Sequence, residues 1–235
     1  LEGLAISPPD AHFRAFETAF AFEETPDQRS AIESVIKDLT SGSPMDRVVC
    51  GDVGFGKTEV ALRAAFLTVL SGHQVAVLVP TTVLAEQHGY TFRERLENEG
   101  VNVKVLNRFR KPAEAKTIVR QLSEGRVDVL IGTHRLLSQD VVYSNLGLLI
   151  VDEEHRFGVR HKERIKQLRH QVNVLTLTAT PIPRTLHMAT AGMRDLSIIQ
   201  TPPSERVPIR TEVSRFDEGL IKGAIERELH RGGQV

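Results

Sequence analysis

The string GDVGFGKT, Gly51 to Thr58, constrains this chain more than any other stretch. It fits G-x-x-x-x-G-K-[ST], the P-loop pattern, and each fixed position has a physical job. Gly51, Gly54 and Gly56 allow a tight loop whose backbone N–H groups, those of Asp52, Val53 and Phe55 among them, point inward at phosphate oxygens. Lys57 brings a positive charge within reach of β- and γ-phosphates, and Thr58 offers a hydroxyl to Mg²⁺. The flanks agree with this reading. Arg47 to Cys50 reads as a short buried strand entering the loop, and Glu59 to Leu70 as the helix leaving it. The N-terminus of that helix, with Glu59 in its first turn, adds its dipole to the anion site.

At 235 residues, 40% of them hydrophobic and 26% charged, the chain has room for one large domain or two small ones. No apolar run approaches the roughly 18 to 20 residues that span a bilayer, and no secretory signal opens the sequence. The single cysteine, Cys50, excludes an intramolecular disulfide framework, points to a reducing cytoplasm, and reads as core packing. The nine histidines show no metal-ligand spacing. Formal net charge is zero, so overall charge gives no support for nucleic-acid binding. The distribution is less even. Six Lys/Arg between Arg156 and Arg169 stand against Glu163 alone, and Arg108, Arg110 and Lys111 form a second cluster. Each fits either a DNA-backbone contact or a solvated helix face.

Apolar, β-branched runs recur at Val75–Val79, Val101–Leu106, Val127–Ile131, Leu146–Val151 and Asn173–Ala179. Helix-like segments separate or follow them at Val83–Leu96, Ala113–Ser123, Val159–Leu168 and Thr185–Ala191. Such alternation, with near-continuous apolar strands, predicts an α/β fold: a doubly wound, mostly parallel sheet covered by helices on both faces. Ahead of it, Phe13, Phe16 and Phe20 read as docking a leading helix and turn onto the sheet. Residues 201–204, Thr-Pro-Pro-Ser, break the pattern as a linker would, before a strand-like Pro208–Val213 and a helix-like Asp217–His230. The chain then stops at Arg231–Val235, where another strand is expected to begin, as in a fragment cut from a larger protein. Leu1-Glu2 is compatible with a cloning remnant.

Ligands of open parallel sheets bind outside the carboxyl ends of the strands. Five polar motifs fall at that edge: GDVGFGKT, PTT at Pro80–Thr82, GTHR at Gly132–Arg135, DEEH at Asp152–His155, and TATPIPRT at Thr178–Thr185. The acidic motif follows an apolar strand as a Walker B motif does. Asp152 is placed to hold Mg²⁺ beside Thr58, and Glu153 to orient and deprotonate an attacking water. A turn with a helix cap is the plainer account of DEEH taken alone.

In this order and spacing the motifs resemble the first RecA-like, P-loop NTPase domain of a superfamily 2 helicase or translocase. DEEHRFGVRHKERIK (Asp152–Lys166) and LTLTATPIPRTLHMATAGMRDLSII (Leu175–Ile199) are similar to bacterial transcription-repair coupling factors and to RecG-type fork-remodelling helicases. MDRVVCGDVGFGKTEVALRAAF (Met45–Phe66) and TPPSERVPIRTEV (Thr201–Val213) favour the coupling factors. The resemblance extends from about Phe20 onward.

It implies an ATPase with ATP and Mg²⁺ as cofactors, and roles residue by residue. FEETPDQ (Phe22–Gln28) matches a Q motif, with Gln28 reading the adenine edge and Phe22 stacking on the ring. Thr25-Pro26 also reads as a capped helix start, and both readings stand together. Thr81, Thr82 and Gln87 match motif Ia, and Thr133, His134 and Arg135 match motif Ib, regions that touch the DNA backbone. Arg108 and Arg110 are expected to join that surface. Thr178 and Thr180 match motif III, which links the phosphate site to DNA, with His155 as a further coupling residue and Arg184 serving that coupling at DNA or at the domain interface.

The implied organisation is a lead-in over 1–24, a RecA-like ATP-binding domain over 25–200, and a linker with the start of a second RecA-like domain over 201–235. That second domain supplies an arginine finger in the family, so this chain is expected to bind Mg·ATP and hydrolyse it weakly. The expected partner is double-stranded DNA. RNA polymerase and nucleotide-excision-repair proteins would act through domains outside this chain. Two other readings are a RecG-type helicase and a regulatory module that uses ATP occupancy as a switch and binds partners through Arg156–Arg169.

Overall fold

Aliphatic runs without polar alternation have no face to leave in water, so each becomes a strand buried on both sides. The computed structural model describes residues 4, 6–154, 157, 158, 161, 163, 165, 172–179, 194–204 and 211–235. Its seven strands are β1 (Asp46–Gly51), β2 (Gln74–Leu78), β3 (Val103–Leu106), β4 (Val129–Gly132), β5 (Leu146–Asp152), β6 (Asn173–Thr178) and β7 (Asp195–Ile199). They form one sheet in the order β3-β4-β2-β5-β6-β1-β7, and every pairing is parallel.

Alternate residues of each central strand enter two separate cores. Val75 and Val77 of β2, Leu148 and Ile150 of β5, and Leu175 and Leu177 of β6 join one. Ala76 and Leu78, Leu149 and Val151, and Val174 join the other. The helices α1 (Ala11–Thr18), α2 (Pro26–Leu39), α3 (Lys57–Leu70) and α4 (Thr82–Leu96) bury their apolar residues in the first core. Ile118 and Leu122 of α5 (Pro112–Ser123), with Phe157 and Ile165, bury in the second. The doubly wound α/β fold is therefore as expected. Among the described residues, no helix is long and apolar enough to cross a membrane.

Sequence reading missed β7. Its run DLSII is short, begins with Asp195, and lies partly exposed at the sheet edge, so it lacks the apolar signature of the inner strands. The helix-like Thr185–Ala191 and most of Val159–Leu168 fall outside the described residues.

The contacts divide the chain into Leu1–Ser204 and Glu205–Val235. In the second unit, Asp217 caps a helix over Glu218–His230, its carboxylate accepting the N–H groups of Gly219 and Leu220. The strand expected over Pro208–Val213 is absent from 211–213, which are irregular, and its first three residues lie outside the described set. The chain after Arg231 is irregular as well. A single strand has no ladder partner here among the described residues, and an unpaired strand does not persist in water.

The lead-in docks through two of its phenylalanines. Phe13 and Phe16 are fully buried, their rings 6.2 and 4.3 Å from that of Phe66 on α3. Beside them lies a buried ionic cluster. Arg63 of α3, 2% exposed, donates to Glu59 at 3.0 Å, to Glu17 of α1 at 3.3 Å, and to Glu24. Arg95 of α4 donates to Glu59 at 3.3 Å and to the Phe16 carbonyl at 3.0 Å, with its guanidinium 4.1 Å from the Phe16 ring centroid. Removing one partner of such a cluster strands the others in a dry setting, at a cost of about 3–5 kcal/mol. We therefore expect Arg63→Ala to lower unfolding free energy by about that amount in urea titration. A loss of under about 1 kcal/mol would mean that the carboxylates find other partners or water.

Candidate functional site

Strand β1 delivers the chain to the phosphate loop at the carboxyl edge of the sheet. The loop closes through Phe55 N–H donating to the Asp52 carbonyl at 3.1 Å and Glu59 N–H donating to the Gly56 carbonyl at 3.0 Å. Gly54 and Gly56 both have φ of +81°, a conformation that side chains disfavour. Gly56 is also the N-cap of α3, so no side chain caps this helix, and its first N–H groups are left for an anion. The Lys57 ammonium lies over the loop, donating to the carbonyls of Gly51 and, at 3.0 Å, Asp52. Burial pushes its pKa down from the ordinary lysine value, opposed by the charges of Asp152 and Glu153.

The start of α2 braces this loop from behind. Thr25 and Gln28 form a capping box: Thr25 Oγ1 accepts the Gln28 N–H at 3.2 Å, and Gln28 Oε1 accepts the Thr25 N–H at 2.9 Å. Gln28 Nε2 donates to the Phe55 carbonyl at 2.9 Å. The side-chain amide is thus engaged with both its own helix start and the phosphate loop. Its neighbour Asp27 accepts the N–H groups of Gln200 and Thr201 and the Thr201 hydroxyl, all at 2.8 to 2.9 Å, and these bonds hold its carboxyl below the usual carboxylate range. Phe22 is 60% exposed, edge-on to Phe20 at 5.6 Å, and clear of the cleft described next.

At the end of β5, Glu153 adopts φ of +54°, the sole non-glycine residue with positive φ among those described. That conformation costs roughly 1–3 kcal/mol and persists only where surroundings impose it. Here two bonds impose it. Glu153 N–H donates to the Leu177 carbonyl at 2.9 Å, and Glu153 Oε1 accepts the Ala179 N–H at 3.1 Å. The acidic motif and the TAT motif are thereby fastened to each other. Glu154 is held from below by Arg194 at 3.0 Å, whose guanidinium also reaches Asp46 and Thr176.

A cleft of about 740 Å³ lies between these pieces. The loop contributes Val53, Gly54, Gly56, Lys57 and Thr58, the acidic motif contributes Asp152 and Glu153, and β6 with the turn after it contributes Leu177 and Ala179. The opposite wall is one stripe of α4: Leu84, Gln87, His88 and Thr91. His88 Nε2 lies 3.1 Å from Asp152 Oδ2. Sequence reasoning singled out Gln87 and passed over His88, although the spacing 84, 87, 88, 91 marks one helical face beside that of the buried Ala85, Phe92 and Leu96. Glu59 does not line the cleft; its carboxylate is bound by Arg63 and Arg95.

The residues expected at DNA lie along the same carboxyl edge, in varied settings. Thr81 is exposed and caps α4 by accepting the Leu84 N–H at 3.2 Å, and Thr82 opens that helix. Thr133 is buried, whereas His134 is exposed with its ring 5.1 Å from that of His161. Arg135 pairs with Asp140 through both terminal nitrogens. Arg108 is exposed, 5.2 Å from the centroid of the exposed Phe109 ring, and Arg110 pairs with Glu86 and Glu114. Thr178 closes β6 and is buried. His155, Thr180, Arg184 and the basic residues between Arg156 and Arg169 lie outside the described residues.

The family model for DEAD/DEAH box helicases matches residues 25–189. The chain belongs to this helicase family. Over its whole length it is 57% identical to the transcription-repair-coupling factors of Bacillus subtilis and of Escherichia coli, and spans 20% of each. It is thus similar to about a fifth of those relatives' own length. Among solved structures, RecG bound to a three-way DNA junction matches 99% of the chain and 31% of RecG, with a TM-score of 0.84 and 34% identity. The helicase MrfA bound to DNA, at 17% identity and a TM-score of 0.64, shares the fold.

Within this helicase domain, the two left-handed glycines separate strain from contact. A Cβ at Gly54 would meet nothing within 4 Å, whereas one at Gly56 would lie 2.4 Å from Gln28 Nε2. Gly54→Ala should therefore cost about 1–2 kcal/mol from backbone strain alone. Gly56→Ala should cost more by about 1–3 kcal/mol through the displaced Gln28 bond. Thermal unfolding of both variants, repeated in a Gln28→Ala background, checks this: the gap between them should shrink when Gln28 is already truncated.

Proposed function

We propose that the chain is the ATP-binding motor domain of a double-stranded-DNA translocase acting in transcription-coupled DNA repair. The observation that carries the proposal is the convergence of Lys57, Thr58, Asp152 and Glu153 on one cleft behind a glycine loop shaped for phosphate. The identity to coupling factors supports the biological setting. Residues 25–200 would form the nucleotide-binding RecA-like domain, and 201–235 the linker and opening of a second.

The residues present suit Mg·ATP. Thr58 supplies a hydroxyl and Asp152 a carboxylate, both lining the cleft. Mg²⁺ prefers such oxygens, taking one or two carboxylates together with phosphate oxygens and water. When bound, the metal would neutralise charge on the β- and γ-phosphates. Lys57 would add its ammonium there, and Gly54 and Gly56 would let backbone N–H groups close on the phosphates. Glu153 would orient and deprotonate the attacking water, its carboxylate aimed by the Ala179 N–H. That bond supports the coupling role given to the TAT motif, since moving Ala179 would move the base. Thr81, Thr82, Gln87, Arg108, Arg110 and the GTHR residues would track the DNA backbone. RNA polymerase and excision-repair proteins would engage domains beyond this chain.

A second reading, a RecG-type fork helicase, is favoured by the match to RecG over 99% of the chain. The identities, 57% against 34%, rank it second.

ATP turnover with and without duplex DNA tests the proposal, on this chain and on a form extended through the following domain. Without an arginine finger, this chain should turn over at least about 10³-fold more slowly than the extended form on DNA. Glu153→Gln in the extended form should lower turnover by about 10²–10⁴-fold while leaving nucleotide affinity intact. Robust DNA-stimulated hydrolysis by this chain alone would overturn the division of labour, and an active Glu153→Gln variant would overturn the assigned base.

A further inference from the structure

The cleft holds one polar contact that neither the motif pattern nor the proposed chemistry uses. His88 Nε2 sits 3.1 Å from Asp152 Oδ2, with both side chains largely buried. An ionised carboxylate only accepts hydrogen bonds, so Nε2 carries the proton and the imidazole is the donor. The ring is held in place for that bond. Phe92, fully buried one turn further along α4, meets it edge-on at 6.2 Å. Gly89 lets the helix settle on the sheet, since a Cβ there would lie 2.3 Å from Val105 on β3. Fixed hydrogen-bond donors to metal-binding carboxylates set the carboxylate's rotamer, and losing one typically lowers metal affinity about 10- to 100-fold.

We propose that His88 is a positioning residue for the metal site: from α4 it holds the Asp152 carboxylate in the orientation that receives Mg²⁺ beside Thr58. The inference rests on Asp152 serving the metal, as proposed above. His88 does not itself take the ion, because Mg²⁺ selects oxygen and Nε2 is committed to Asp152. The tether also gives α4 two duties. Its first turn carries Thr81 and Thr82 on the rim, and His88, two turns on, grips the carboxylate.

Binding of the fluorescent nucleotide mant-ATP to this chain, titrated with Mg²⁺ and repeated in EDTA, tests the role without turnover. His88→Ala should raise the Mg²⁺ concentration needed for half-maximal tight binding by about tenfold or more, leaving metal-free binding unchanged. His88→Gln, whose amide N–H can replace the Nε2 donor, should restore part of the loss. In an Asp152→Asn background His88→Ala should add nothing further, because the two changes remove one interaction. Equal losses with and without Mg²⁺, no loss at all, or full additivity with Asp152→Asn would overturn the inference. If Asp152→Asn alone leaves the Mg²⁺ dependence intact, the metal assignment of Asp152 fails, and this inference with it. If Asp152→Asn shifts it and neither His88 variant does, only the role of His88 fails. Should His88→Ala unfold, His88→Gln and His88→Asn carry the same comparison, with Asn, too short to reach, expected to behave as the loss.

Discussion

Seven strands running in one direction oblige every connection to return across a face of the sheet before the next strand can begin. Each turn that leaves a strand therefore starts from the same edge. Two thick hydrophobic cores, one on either face, make that arrangement rigid. The phosphate loop, the acidic motif, the TAT turn and the first turn of α4 are neighbours for this reason. Chain positions 51, 82, 152 and 179 meet because β1, β2, β5 and β6 stand side by side in the order β2-β5-β6-β1.

A shared edge brings motifs near one another without fixing their geometry. That is done by bonds that join one rim segment to the next. Gln28 ties the start of α2 to the carbonyl of Phe55, and Asp27, one residue earlier, ties the same turn to Gln200 and Thr201 where the chain leaves β7. Glu153 ties β5 to the turn after β6 through its backbone N–H and its carboxylate at once. The left-handed backbone at Glu153 follows from these two bonds. A conformation costing roughly 1–3 kcal/mol is held because relaxing it would break both. Strain at a proposed base is the kind of local cost that positioning exacts.

The fold class was legible in the sequence because burial on both faces writes itself as aliphatic runs, unbroken in the middle of β2, β4 and β5 and interrupted only by Lys104 in β3 and Thr176 in β6. β7 was not legible, since an edge strand with exposed Asp195 and Ile198 has only one neighbour to satisfy. The P-loop and the acidic pair were legible because their chemistry restricts residue type. The capping box at Thr25 and Gln28 was legible too, as a local pattern of side chain and spacing. What escaped were long-range contacts between unrelated segments: His88 with Asp152, Arg194 with Glu154, and Arg63 with Glu17 and Glu24. Each pair is distant in sequence, and nothing in either local pattern announces the other. Glu59 shows the converse. Its place beside Thr58 suggested the nucleotide, yet the helical turn carries its carboxylate round to Arg63 and Arg95.

These contacts bear on how α4, whose first turn is proposed to meet DNA, is joined to the phosphate site. α4 is fastened by Arg95 to Glu59 on α3, by Glu86 to Asn107 and Arg110 beyond β3, and by His88 to Asp152 at the end of β5. Along the same helix Ala85, Phe92 and Leu96 are buried without exposed surface, and Gly89 presses against β3. Sliding α4 as a body past the sheet would break a buried ion pair and disrupt close packing together, and packed interiors resist such graded deformation. The cleft-facing stripe varies along its length: Gln87 is exposed, Thr91 half-buried, and His88 largely buried against Phe92 and Asp152. His88 is the member of the stripe that touches a carboxylate at the phosphate end, so its bond to Asp152 ties the helix proposed to meet DNA to the proposed metal site.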